Sequence, residues 1–411
     1  MNPDQQPATV ETVGQRSLIE TIHKQLLTDY DPPHVKRDAH PKMHGCVQAI
    51  LRIDEPMRLD PGTDEVTAVR HGIFAASPGT ERPAWVRFSN AFGFQHDLEW
   101  ETRGMAMKVL DVDPRDRTRH QDFLLATFDA FFLPDPAHYA EFFRAARTGP
   151  ASVGAFFFRR RFRGAWALAR SMFTTAMNPL AITYSSQTPY HLGPSRYVKV
   201  RARPVPSPAM EEALPNAAWF RVKSILANIG ITLRELFTDK TATEEWCSSY
   251  FADRDFLRCA MMAFLASHDA SFDIDVQLWR SLDEPPDDGT YRWPQERAAF
   301  YHVATLTIPR QVFWPVAGMP PALAEATARM MELGEDMSFS PWHTLDDHEP
   351  FGTINEFRRE VYHNIATFRR RENLVRDPVA DLKSEYDYLK PIVQLGLTEP
   401  RSASTPHVER A

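Results

Sequence analysis

Residues 357–369 read Phe-Arg-Arg-Glu-Val-Tyr-His-Asn-Ile-Ala-Thr-Phe-Arg. As a helix they place Arg358, Tyr362 and Arg369 on one stripe and Phe357, Val361, Ile365 and Phe368 on another. A phenol ionises near ~10, so it serves as an anionic metal ligand only beside a cation, and a guanidinium one turn away is such a cation. Arg369, two turns on, is placed to pair with a carboxylate of the same ligand. Taken alone, such a helix is more commonly an amphipathic element with solvated arginines and a boundary tyrosine.

A second group lies near the start of the chain. Arg37 and His40 stand in Arg-Asp-Ala-His-Pro-Lys-Met-His-Gly, and Arg87 and Ser89 in Val-Arg-Phe-Ser-Asn. An imidazole with an ordinary pKa near ~6.5 can take a proton from one peroxide oxygen and return it to the other, which makes water a leaving group. A nearby hydroxyl such as Ser89 would hold its tautomer. His40 and His44 also have the spacing of a metal pair, but Pro41 lies between them and the segment leads into a strand, which disfavours a helical zinc site.

The elements that must position these residues begin with a helix at 15–30, stopped by Pro32-Pro33. Short Val/Ile/Leu-rich runs at 43–54, 85–90, 104–112, 123–127, 197–202, 272–279 and 300–308 predict strands; the spacing of the first four suggests an antiparallel sheet or barrel. Helical spacing occurs at 136–147, 155–177, 219–237, 243–268, 322–333 and 357–373, and 281–290 reads as a Pro/Asp-rich surface loop. Strands come first, helices mix in later and βαβ alternation is absent. The expected class is α+β with an antiparallel β-barrel core and surrounding helices. The expected division is an arm and helix at 1–34, a main domain at 35–375 and a C-terminal extension at 376–411, disordered from about 399.

With 411 residues and 43% hydrophobic content, the chain can bury a large core. A net charge of −7 gives no general basic field, so nucleic acid is not an expected partner. Cys46, Cys247 and Cys259 show no metal-ligand rhythm, and residues 1–12 are polar and acidic rather than signal-like. Both point to a reduced, cytoplasmic protein. The apolar stretch at 155–184 is interrupted by Arg159, Arg160, Arg161, Arg163 and Arg170, too densely for a bilayer core. Those arginines read as a solvated face, with a membrane-surface contact as the minor alternative.

Five separated segments, in order, resemble the catalase-like haem superfamily. The Arg37/His40 segment resembles the one carrying the essential His and a propionate-binding Arg. Val86-Arg87-Phe88-Ser89-Asn90 resembles the strand whose Arg reaches a propionate and whose Ser bonds that His. Arg103-Gly104-Met105-Ala106-Met107-Lys108 and Phe131-Phe132-Leu133-Pro134-Asp135-Pro136 resemble two further family segments, and Tyr139 falls where the family has a Phe against the haem face. The helix around Tyr362, entered through Phe339-Ser340-Pro341, resembles the proximal element. The resemblance covers roughly 35–370. It implies haem b, with Tyr362 as iron ligand, Arg358 as its partner, Arg37, Arg87 and Arg369 for the propionates, and His40 with Ser89 as catalytic residues. Tyr is the catalase haem ligand.

Departures from the family pattern are local. Thr127 falls where catalases carry an Asn that orients hydrogen peroxide, with Asp129 the alternative if the alignment slips by a residue or so. Ala39 is smaller than the family's Val, and Arg201 replaces a family His. The stretch 178–190 resembles the catalase-related branch that includes peroxidases and allene oxide synthases. The expected substrate is therefore a peroxide, most readily an organic hydroperoxide; a true catalase and a non-enzymatic haem carrier are the alternatives. A homo-oligomer is the family habit, left open by the short termini.

Overall fold

Met43–Arg58 (β1) is buried along its first seven residues without alternation, the mark of a strand covered on both faces. This computed structural model describes residues 13–61, 66–91, 96–148, 150–158, 162–173, 177–214, 254–281, 283–375 and 381–395. Eight further strands follow: β2 (Glu81–Asn90), β3 (Arg103–Val109), β4 (Gln121–Ala126), β5 (Tyr184–Ser185), β6 (Tyr190–His191), β7 (Tyr197–Pro204), β8 (Ala270–Trp279) and β9 (Ala298–Ile308). They pair antiparallel in the order β5-β4-β3-β2-β1-β9-β8-β7, and β5 also pairs with β7. Eight strands thus close on themselves, with β6 attached to β7. Closure leaves no open edge along the ring. The expected α+β class with an antiparallel barrel is the one observed.

Large rings fill the barrel. Phe88 on β2 meets Tyr184 on β5 at 6.0 Å and Phe272 on β8 at 6.3 Å, contacts that cross the interior. Because successive strand residues face opposite ways, Arg87 and Ser89 must point outward from the same strand. Trp85 confirms the phase, since its indole donates to the carbonyl of Leu382 outside the barrel.

The helices surround this ring. Among the described residues they are α1 (Val13–Asp29), α2 (Ala137–Thr148), α3 (Pro150–Phe158), α4 (Phe162–Met172), α5 (Pro208–Ala213), α6 (Phe256–Leu265), α7 (Pro321–Asp336), α8 (Thr353–Glu372) and α9 (Leu382–Leu395). Helices α6 and α7 pack on β1, α9 packs on α7, and α1 packs on α8. Over the span expected as one helix at 155–177 the described residues give α3 and α4, and 159–161 between them lie outside the described residues. Gly164 in α4 lies so close to the Phe132 carbonyl that a Cβ would sit 2.3 Å from its oxygen, which pins this helix to the backbone of the loop between β4 and α2. The helix expected at 219–237 and residues 243–253 of the one at 243–268 fall outside the described residues, as does the tail from 399; the rest of the latter contains α6. The sequence reading missed the short closing strand β5 and helix α9. Helix α9 buries Leu382, Tyr386, Leu389 and Val393 in the main core, and the Tyr386 hydroxyl donates to the Ala49 carbonyl at 2.9 Å. No helix among the described residues is long and apolar enough to cross a membrane.

Candidate functional site

The outward faces of β2, β3 and β4 form two short rows. Register pairs Ser89 with Gly104 and Gly104 with Ala126, then Arg87 with Ala106 and Ala106 with Leu124. Gly and Ala in the middle of these rows leave room above the sheet, and a cavity of about 260 Å³ lies there. One water needs roughly 10–15 Å³ on this measure, so the space suits a polyatomic organic group. Side chains of α1, α2 and α8 complete its wall, among them Ile22, Tyr139 and Tyr362.

His40 enters from the segment before β1. Its backbone is in the left-handed region, φ 60°, and is held there by its N–H donating to Ala91 at 2.9 Å. That conformation costs roughly 1–3 kcal/mol for a non-glycine residue, a cost the surroundings must offset. The imidazole Nδ1 lies 3.0 Å from Ser89 Oγ, which leaves Nε2 for a ligand. Gly104 makes this placement possible: a Cβ there would lie 2.4 Å from the ring. Burial first, then Arg87, Arg358 and Arg37, push the His40 pKa down to about 3, so the ring is neutral at neutral pH.

On α8, Arg358 Nη2 donates to the Tyr362 hydroxyl at 2.9 Å. Arg358 Nη1 is steered by Asn355 Oδ1 and Thr188 Oγ1, each at 3.3 Å. Asn355 is fully buried and fixed by donating to Phe351 and Pro189 carbonyls at 2.8 and 3.1 Å. Burial works to lower the Arg358 pKa, but Tyr362, Tyr190 and Tyr139 outweigh it and the pKa rises. Tyr139 also lines the cavity, stacked 6.0 Å from Phe131, and burial pushes its phenol up so that it stays protonated. Two phenols thus face one cavity, and Tyr362 is bonded to a guanidinium.

Arg37, Arg87 and Arg369 converge on the cavity from three separate elements. The C-terminal end of α7 organises them, because the last carbonyls of a helix lack intrahelical partners. Arg87 Nε donates to the Gly334 carbonyl at 3.2 Å, Arg369 to those of Glu335 and Asp336, and Arg37 to that of Met337.

Thr127 is not brought to the cavity. Its hydroxyl donates to the Ser171 carbonyl at 3.0 Å and accepts from the Arg103 N–H at 3.3 Å, and it is absent from the cavity wall. Asp129 is tied to Arg292 in a two-pronged pair at 2.7 and 2.8 Å. Arg201 pairs with Asp275 at 2.7 Å and stacks on Phe300. His44 bonds Asn90 Oδ1 at 2.7 Å, a network separate from that of His40. Of the arginines at 159–163, only Arg163 is described, with its side chain 75% exposed, as a solvated face requires.

Sequence reasoning missed Asn355, Thr188 and a buried cluster that reaches the cavity wall through His343. Asn355 had a signal, three residues before Arg358 on the same helical stripe. The cluster had none, because His120, Asp122 and His343 meet only in three dimensions, with their ligand atoms within 4.8 Å of one another. Lys108 Nζ stands in the cation position there, 2.8 Å from both Asp122 oxygens and 3.4 Å from His343 Nδ1. Burial would raise the Asp122 pKa, but Lys108, His120 and His343 hold it below the usual carboxylate range. Lys108 and Asp122 are both fully buried, so Lys108→Met strands a carboxylate. It is expected to lower unfolding stability by about 3–5 kcal/mol in a denaturant titration, with Lys108→Met/Asp122→Asn recovering part of the loss.

No family model matches the sequence, and no curated protein matches it. Solved structures do. A fungal catalase aligns at 16% identity and TM-score 0.56, over 91% of this chain and 68% of that one. Catalase A from Saccharomyces cerevisiae aligns at 14% identity and TM-score 0.56, over 94% of this chain and 71% of that one. A bacterial catalase aligns at 15% identity and TM-score 0.54, over 99% and 68%. At such identities the likeness lies in the path of the backbone: this chain has the fold of the catalases.

Proposed function

We propose that this chain is a haem-dependent oxidoreductase acting on peroxides, of the catalase-related kind that uses organic hydroperoxides. The observation that carries the reading is the single cavity lined by the His40–Ser89 pair, the Arg358–Tyr362 pair and three arginines. A haem b needs an anionic oxygen ligand for its iron and cations for two propionates. The residues fit: Tyr362 is bonded to a guanidinium, and Arg87 keeps a buried Nη2 without a hydrogen-bond partner. Tyr362 would hold the iron, and Arg37, Arg87 and Arg369 the propionates.

Haem would supply, when bound, the redox change that drives O–O cleavage. His40 Nε2 accepts the hydroperoxide proton and returns it to the departing oxygen, so the O–O bond breaks with water or an alcohol leaving. Ser89 holds the imidazole tautomer through Nδ1. Arg358 keeps the Tyr362 oxygen supplied with a donated hydrogen bond. Tyr139, a neutral ring, covers part of the wall.

The wall beside His40 supports an organic substrate. Gly104, Ala106, Leu124 and Ala126 are apolar and mostly small, and the hydroxyl of Thr127 is spent elsewhere. Haem-loaded protein is expected to show a Soret band and to turn over cumene or fatty-acid hydroperoxide faster than it evolves oxygen from hydrogen peroxide. Rapid oxygen evolution without hydroperoxide turnover would identify a true catalase instead. A Soret band with neither activity would identify a haem carrier.

A further inference from the structure

The three cavity arginines are heavily buried: Arg87 and Arg369 are 2% and 3% exposed, and the Arg37 side chain is 13% exposed. Their described ion pairs run to one carboxylate, Glu335 on the last turn of α7. Arg37 Nη1 lies 3.4 Å from Glu335 Oε2, and Arg87 Nη2 lies 3.9 Å from Oε1. Lys36 approaches the same carboxylate at 3.7 Å, and Asp336, next in the chain, is a second carboxylate acting on Arg369 and Arg37. Three guanidinium groups and Lys36 against the two carboxylates Glu335 and Asp336 leave an excess of two positive charges, the complement of a dianion. The strain shows in the groups themselves. Burial, then repulsion by Arg37, holds Arg87 at about 9, and the same two causes hold Arg369 at about 9. Burial would raise Glu335, yet Arg87, Arg37, Lys36 and Arg369 hold it low.

We propose that Glu335 is the specificity-determining counter-ion of this cradle: it sets the excess at two charges, so that the cradle takes a ligand with two carboxylates. This rests on the haem reading above. In the protein without ligand, Glu335 keeps three arginines from repelling one another. Once two propionates arrive, the same carboxylate opposes them and limits affinity. Glu335 is therefore a positioning residue, and its removal acts in opposite directions on the two forms.

The test uses the full chain and Glu335→Gln. Without ligand, the melting temperature is expected to fall by about 3 °C or more. Titrated with haem b, the variant is expected to bind about tenfold more tightly than the wild type, because the net attraction for a dianion has grown. Titrated with haem dimethyl ester, which carries no propionate charge, the variant is expected to bind as the wild type does. Equal changes for both haems would mark a merely structural role and overturn the proposal, as would an unchanged melting temperature and affinity. If Glu335→Gln does not fold, Arg37→Gln/Glu335→Gln restores the excess of two and is expected to regain a melting temperature near the wild type's; failure to do so overturns the proposal. A wild type that takes up no haem would instead refute the haem reading, with the melting comparison still deciding the role of Glu335.

Discussion

Tyr362→Phe is expected to remove the ferric tyrosinate signature from the haem-loaded protein and to release most of the haem on gel filtration. The substitution deletes one oxygen. That oxygen accepts from Arg358 Nη2 at 2.9 Å on the cavity wall. Tyr139 cannot substitute, because burial raises its pKa and keeps its proton in place. Loss of the phenol oxygen leaves Arg358 buried without its bonded partner, the largest of the three tyrosine influences that raise its pKa, so a modest fall in melting temperature should accompany it. Tyr139→Phe is the matched control and should keep the spectrum. A Tyr362→Phe protein with full haem content and an unchanged spectrum would refute the ligand assignment.

His40→Ala is expected to lower kcat/KM for peroxide by about 10²–10⁴-fold, the range a positioned general acid–base supplies, with haem content preserved. The pH profile gives a second, independent reading. The folded pKa of His40 is depressed to about 3, so the neutral ring that accepts a proton is present above that value and lost only as pH falls through it. Wild-type turnover should therefore be flat from about pH 5 to 8 as far as His40 is concerned. A rate falling with a midpoint near 6.5 would mean that the ring behaves as an exposed histidine. Ser89→Ala should cost less, because it removes the orienting partner at 3.0 Å and leaves the imidazole in place.

Much of this site was legible from residue types and order. Arg358, Tyr362 and Arg369 share a stripe because a helix repeats every 3.6 residues, and that period needs no tertiary information. Arg87 and Ser89 share a face for the matching reason in a strand. The barrel strands could be located because Val, Ile, Leu and aromatic runs mark a surface buried on both faces. Their closure could not. It depends on the two-residue strand Tyr184–Ser185, too short for any periodic signal, pairing with both β4 and β7.

The errors share one cause. Thr127 occupies the aligned position, yet its hydroxyl is claimed by Ser171, a residue of α4 far along the chain. Asp129 is likewise claimed by Arg292. Lys108 and Glu335 went unread because a residue's partner across the fold leaves no trace in its own neighbourhood. Local order determined which side chains could do chemistry: the tyrosine–arginine stripe, the histidine before the first strand and the Arg-Phe-Ser strand. Only the tertiary structure decided which of them face the same cavity, since hydrogen bonds and ion pairs there join residues as far apart as Arg37 and Glu335. A polar group goes to the partner that folding brings within reach.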